Sequence, residues 1–176
     1  MRKTWLAFNK MKSIFLKKNV LSFLLLIFIF LLDRFSKIYI IETFQNENIT
    51  EIYLTSFLNF YLIWNKGIAF GFLSFEQSTI YNLITLIIVI ISLVILLMAL
   101  QADKIKSYFL ILVLGGSLGN LYDRLFNSAV PDFIDFHIKD FHWFIFNIAD
   151  VFITIGVICL IFAEIFFNKK QSYKDD

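Results

Sequence analysis

Residues 80–100 run without a single charge, and a run of that length leaves a chain few options. About 20 apolar residues in helical conformation cross the hydrocarbon core of a bilayer, and every backbone polar group is satisfied inside the segment. Ile80–Leu100 therefore predicts a membrane helix. Phe144–Phe167 predicts another, with Asp150 near one end and Glu164 near the other. Val20–Ile41 is apolar as far as Leu32 and then turns polar. Tyr108–Phe126 is a fourth span, diluted by Gly115, Gly116, Gly119 and Asn120. Asp103, Lys104 and Lys106 mark a short turn between the second and third spans. With 59% hydrophobic residues and a mean hydropathy of +0.76, the 176 residues exceed the apolar content of a soluble domain. The fold class expected is an all-α membrane protein: four transmembrane helices with a small extracytoplasmic β-hairpin or sheet subdomain, together a single membrane domain.

Charge placement sets the expected sidedness. Arg2, Lys3, Lys10, Lys12, Lys17 and Lys18 lie in a basic leader, residues 1–19. Lys104 and Lys106 lie in the turn, and Lys169, Lys170 and Lys174 in the tail. These are 11 of the 16 basic residues. The loops at 42–79 and 127–143 hold only Lys66 and Lys139. Both termini are expected to be cytoplasmic and both loops to face outward. The first apolar run leads into Asp33-Arg34-Phe35-Ser36-Lys37 rather than a small-residue cleavage site, so it reads as a retained span. A net charge of +2 gives no footing for nucleic acid. The lone Cys159 cannot build a disulfide framework or a cysteine metal site. The 23 phenylalanines read as lipid-facing bulk and interfacial anchors.

In the first outer loop, Ile49–Phe60 is rich in β-formers and partly alternating, which predicts strand. Asn65-Lys66-Gly67 reads as a turn and Ile68–Leu73 as a short extended piece. Polar residues then gather at one depth, the expected outer ends of the spans. Asp33 and Lys37 share a helix face in the first span. Asn120, Asp123 and Arg124 end the third, Asn147 and Asp150 start the fourth, and Asp132 lies in the connecting loop. Acids at the edge of hydrocarbon are costly to keep ionised and mark functional candidates. For Asp123 and Arg124, adjacent at the helix end, a structural ion pair is one open reading.

Other chemistries fit less well. Gly115-Gly116-Ser117-Leu118-Gly119 matches G-x-S-x-G, but a nucleophilic serine needs that motif between strand and helix. Inside an apolar helix the same residues read as a close-packing G-x-x-x-G. His137 and His142, with Asp132, Asp135 and Asp140, raise a metal question. The histidines are five apart, off one helical face, and read as interfacial loop residues, so no metal and no cofactor is expected. A small non-enzymatic transporter or assembly factor is the alternative class, but its polar groups belong near mid-membrane.

Four segments, in order, carry a family resemblance: Asp33-Arg34-Phe35-Ser36-Lys37; Asn65-Lys66-Gly67-Ile68-Ala69-Phe70-Gly71; Gly115-Gly116-Ser117-Leu118-Gly119-Asn120-Leu121-Tyr122-Asp123-Arg124 followed by Val130-Pro131-Asp132-Phe133; and Phe146-Asn147-Ile148-Ala149-Asp150. The chain resembles the lipoprotein signal peptidase (signal peptidase II) family, aspartyl proteases of the bacterial cytoplasmic (inner) membrane. The resemblance implies Asp132 and Asp150 as the catalytic dyad. It implies Asp33, Lys37, Asn65, Gly67, Asn120, Asp123, Arg124 and Asn147 as supporting or substrate-binding residues. It further implies a prolipoprotein substrate, cut before a cysteine bearing a diacylglyceryl group, by a monomer whose active site lies near the outer face. The loop Asn65–Leu73 is then expected to close over the substrate. Pro131 departs from the family pattern, and a proline beside Asp132 removes a backbone donor and restrains the residue before it.

Overall fold

The computed structural model describes residues 2–67, 78–139 and 141–172. In chain order it consists of α1 (Arg2–Glu47), β1 (Ile52–Thr55), β2 (Leu58–Asn65), α2 (Ser78–Gln101), α3 (Lys104–Phe126), β3 (Val130–Ile138), β4 (Phe141–Phe146) and α4 (Ile148–Ser172). The expected extended piece at Ile68–Leu73 falls outside the described residues. Among the described residues, three helical segments are long and apolar enough to cross a membrane: Thr79–Gln101, Lys104–Phe126 and Ile148–Phe166, with mean hydropathies of 3.4, 1.2 and 2.4.

The glycine-diluted helix α3 is the central one, packed against α1, α2 and α4. Its small residues explain both its weak hydropathy and its position. A Cβ on Gly116 would collide with the carbonyl oxygen of Ala149 and lie 2.8 Å from Ile153 Cγ1. A Cβ on Gly119 would lie 2.5 Å from Asp33 Oδ2. These glycines let α3 approach α4 on one side and α1 on another, as small residues do between membrane helices. Ser117 fits the packing reading too. Its hydroxyl pairs with that of Ser92 on α2 at 2.8 Å, between helices. The outer faces of α2 and α4 leave large aliphatic and aromatic side chains exposed, among them Leu83, Leu97, Ile161 and Phe162.

The α2–α3 turn is closed by side chains. Lys18 Nζ donates to the carbonyl of Ala102 at 2.7 Å and Ser107 Oγ to that of Ala99 at 2.8 Å. These donors satisfy carbonyls that the end of α2 leaves without helical partners. At 46 residues, α1 is about 70 Å long at 1.5 Å per residue, longer than a bilayer is thick. The basic leader is therefore not a separate segment; it is the first part of one helix. At the other end α1 reaches the sheet, where Ile40 and Phe44 form a core with Phe133.

The four strands form one antiparallel sheet in the order β1-β2-β3-β4. The stretch between the first and second helices supplies β1 and β2, as expected. The second loop, 127–143, is largely strand rather than loop, and this differs from the sequence expectation. Phe144–Phe146 also belongs to β4, so the fourth helix begins at Ile148 rather than Phe144. Pro131 is accommodated without breaking β3. It pairs with Trp64 of β2, at a level where β3 has no β4 neighbour, because the β4 pairing runs from Ile134 to Ile138. Proline is tolerated at such a local edge.

Gly116→Ala is expected to destabilise the protein, because the added carbon meets backbone rather than a flexible side-chain tip. A loss on the order of 1–3 kcal/mol is the usual cost of such overpacking. Thermal unfolding in detergent checks this: a clear drop in Tm is expected, and an unchanged Tm would contradict the close α3–α4 approach.

Candidate functional site

The four expected polar segments converge. A cavity of about 250 Å³ is lined by Asn65, Asn120, Arg124, Asp132, Asn147 and Asp150 on its polar side, and by Ile88, Val130 and Ile153 on its apolar side. Asp132 comes from β3 and Asp150 from the first turn of α4. Neither histidine lines this cavity, and Ser117, which does, has its hydroxyl committed to Ser92.

Asn147 connects the two acids. Its backbone N–H donates to Asp150 Oδ2 at 3.2 Å, and the Asp150 N–H donates to Asn147 Oδ1 at 3.1 Å. This is the reciprocal arrangement of a capping box, with an aspartate three residues into the helix. The remaining donor of the same side chain, Asn147 Nδ2, reaches Asp132 Oδ1 at 2.5 Å. The cap that starts α4 thus also holds the β3 carboxyl. Asn65 Nδ2 donates to the other oxygen of Asp132 at 2.9 Å, and Asn120 Nδ2 donates to Asp150 Oδ1 at 2.8 Å. Each acid is gripped by amides, which donate without carrying charge.

Asp132 is only 2% exposed. Burial pushes its carboxyl up to about 6, and the nearby charge of Asp150 pushes in the same direction. The amides of Asn65 and Asn147 and the ammonium of Lys37 oppose that shift without cancelling it. An acid in this state holds or releases a proton near neutral pH.

Behind the amides lies a buried ion cluster. Lys37 Nζ donates to Asn120 Oδ1 at 2.8 Å and pairs with Asp33 Oδ2 at 2.9 Å and Asp123 Oδ2 at 2.8 Å. Asp33 and Asp123 are fully buried, and Lys37 nearly so. Arg34 also joins both acids, through a fork on Asp123 and a 3.1 Å contact to Asp33. Its guanidinium lies 4.8 Å from the centre of the Tyr122 ring. The second oxygen of Asp33 accepts the backbone N–H of Ala149 at 3.0 Å, adding a negative charge at the N-terminus of α4.

Asp123 and Arg124 do not form the ion pair that their adjacency suggested. Among the described residues, Asp123 is paired with Arg34 and Lys37. Arg124 points elsewhere, donating to the carbonyl of Gly67, while its own carbonyl accepts from Tyr81 at 3.1 Å. The Gly67 N–H donates to Asn65 Oδ1 at 2.8 Å, closing a side-chain turn. Gly67 and Arg124 therefore fix the turn that presents the Asn65 amide to Asp132. Arg34 is the member of the cluster that had no role in the sequence reading. Its place beside Asp33 in the first motif was the available signal.

Residues 25–166 match the family described as signal peptidase (SPase) II. The lipoprotein signal peptidase of Pelagibacter ubique is 51% identical over 162 residues, 92% of this chain and 98% of the relative. That of Francisella tularensis subsp. novicida is 40% identical, over 89% of this chain and 98% of the relative. A bacterial membrane enzyme solved by the in meso method at 2.3 Å superposes with a TM-score of 0.68 at 33% identity, covering 82% of this chain and 87% of the other. A second such enzyme, at 1.9 Å, gives 0.67 at 31% identity, covering 81% and 90%. The match extends through both acids, the amides that grip them and the ion cluster behind, and this chain belongs to the signal peptidase II family.

Proposed function

We propose that this protein is an aspartic endopeptidase that removes the signal peptide from diacylglyceryl-modified prolipoproteins, cutting before the lipid-bearing cysteine. The observation that carries this reading is the Asn147 side chain shared between Asp132 and Asp150 on one cavity wall. Two carboxyls in a poorly solvated site resist double ionisation, so the pair keeps one proton. The ionised partner takes a proton from water while that water's oxygen adds to the scissile carbonyl carbon. The protonated partner gives its proton to the developing oxyanion. Collapse of the diol then breaks the C–N bond as the leaving nitrogen is protonated. The products are a free carboxyl on the signal peptide and a free amine on the cysteine. The apparent pKa values belong to the pair, so acid and base are not assigned separately. This route needs no cofactor, metal or nucleophilic side chain.

The membrane setting follows from the same reading. The Val20–Ile41 stretch of α1 serves as a fourth span beside the other three. The basic leader, turn and tail lie on the cytoplasmic side of the bacterial inner membrane, as does each terminus. The sheet and the cavity then lie toward the outer face. There the substrate's diacylglyceryl chains remain in the outer leaflet while its signal helix lies against the bundle. A monomer suffices, because both acids come from one chain. Membership of a peptidase family sets aside the transporter reading.

Asp132→Asn and Asp150→Asn are each expected to lower kcat/KM by at least about 100-fold, the lower range for loss of an acid–base group. The assay is cleavage of a lipid-modified signal-peptide substrate by purified protein, with Tm checked in parallel. Near-full cleavage by either folded variant would reject the pair.

The pH profile follows from the raised Asp132 carboxyl. The shared proton is bound below about 6 and lost as pH rises through that value. Above it both groups carry charge and the acid is gone. The profile of kcat/KM is therefore expected to fall on its alkaline side, tenfold per pH unit, from an apparent pKa of about 6. Activity rising steadily to pH 9 would contradict it.

Asp123→Asn is expected to act differently. It leaves Arg34 and Lys37 under-compensated in a buried cluster, a loss of about 3 kcal/mol or more. A reduced Tm with cleavage retained by the folded fraction is the expected result. An unchanged Tm would contradict a structural role.

A further inference from the structure

The β3–β4 hairpin carries a second constellation that the peptide-cleaving site does not use. Asp135 and His137 are two apart on β3, so they share a sheet face. His142 lies on β4 directly across from His137. The five-residue separation that is off-register on a helix is thus a cross-strand pair in a hairpin. The turn between the strands includes Lys139 in the left-handed region, at φ 54°. One ligand atom from each of Asp135, His137 and His142 lies within 4.8 Å of the others.

The cluster is incompletely satisfied. Asp135 is 2% exposed, yet among the described residues its carboxylate has one hydrogen bond, from His142 Nδ1 to Oδ2 at 2.8 Å. Asp135 Oδ1 is buried without a hydrogen-bond partner among the described residues, and so is His137 Nδ1, which lies 3.5 Å from Asp135 Oδ2. Asn59 faces Asp135 across the β2–β3 ladder, and its own buried Oδ1 also lacks a partner. Its amide nitrogen is committed to Glu51. A buried carboxylate with so few donors is costly, and a bound cation removes that cost.

We propose that Asp135, His137 and His142 form a binding site for a divalent transition-metal ion of the zinc class on the β3–β4 hairpin. Two imidazole nitrogens and one carboxylate oxygen are a borderline donor set. It suits zinc and its neighbours rather than magnesium or calcium, which take mostly oxygen. In a tetrahedral zinc site with bonds of about 2.0–2.1 Å, donor atoms stand about 3.4 Å apart. The two spacings already present, 2.8 and 3.5 Å, bracket that figure. His142 is 55% exposed and gives the ion an entry path. The fourth position is left to water or to Asn59 Oδ1. The ion joins β3, which carries Asp132, to β4, which leads into Asn147, and so stabilises the hairpin that holds the cavity's outer wall.

Zinc titration of tag-free, chelator-treated full-length protein in detergent, followed by calorimetry and by Tm, tests this. One equivalent of zinc is expected to bind and raise Tm, and magnesium at the same concentration to do neither. His142→Ala, at an exposed position where folding is not at risk, is expected to weaken zinc binding at least tenfold. Asp132→Asn is expected to leave it unchanged. The absence of zinc binding by the unmutated protein would overturn the proposal. So would His142→Ala binding zinc as tightly, or zinc binding that falls with Asp132→Asn instead.

Discussion

One asparagine side chain organises the centre of this molecule. Asn147 caps α4 with its carbonyl oxygen and holds Asp132 with its amide nitrogen, while its backbone N–H fixes Asp150. The start of a helix and the spacing of two acids are therefore a single geometric fact. Strand β4 must end where it does for Asn147 to serve as the cap, and β3 must lie beside it for Asp132 to be reached. The sheet is in this sense the positioning device for one acid and the helix cap for the other.

The ion cluster of Asp33, Arg34, Lys37 and Asp123 supports that centre from behind. Charges of balanced sign, three of them buried and Arg34 part-buried, gain little net stability over an apolar core, since desolvation offsets their attraction. What they provide is placement. Lys37, held between Asp33 and Asp123, donates to Asn120 Oδ1 and so turns the Asn120 amide nitrogen toward Asp150. Asp33 does the same for α4 by accepting the Ala149 N–H. Gly119 is small enough to let Asp33 sit against α3. Packing, charge and the placement of the two acids thus share residues.

Much of this was legible in the residue order, for reasons that are local. The apolar lengths of α2 and α4 and the convergence of Asp33, Asn120, Asp132, Asn147 and Asp150 follow from helix period and charge placement. The second half of the sheet was not legible. Val130–Asp135 is almost entirely buried, so no alternation marks it as strand, and Phe144–Phe146 is apolar enough to be absorbed into a helix. The ion-pair reading of Asp123 and Arg124, one of two left open, fails for a related reason. Neighbours one apart on a helix do not face each other, and the true partners of Asp123 come from α1. The histidines were visible but tested only against helical spacing, and their pairing appears once the hairpin forms.

The central claim is that Asp132 and Asp150 act as one titrating unit. The direct measurement is the titration of the Asp132 carboxyl, followed by carbon-13 NMR or infrared absorption, with and without Asp150→Asn. The account predicts that Asp132 titrates near 6 in the unmutated protein and at a lower pH once the charge of Asp150 is removed. An Asp132 titration identical in the two proteins would contradict it.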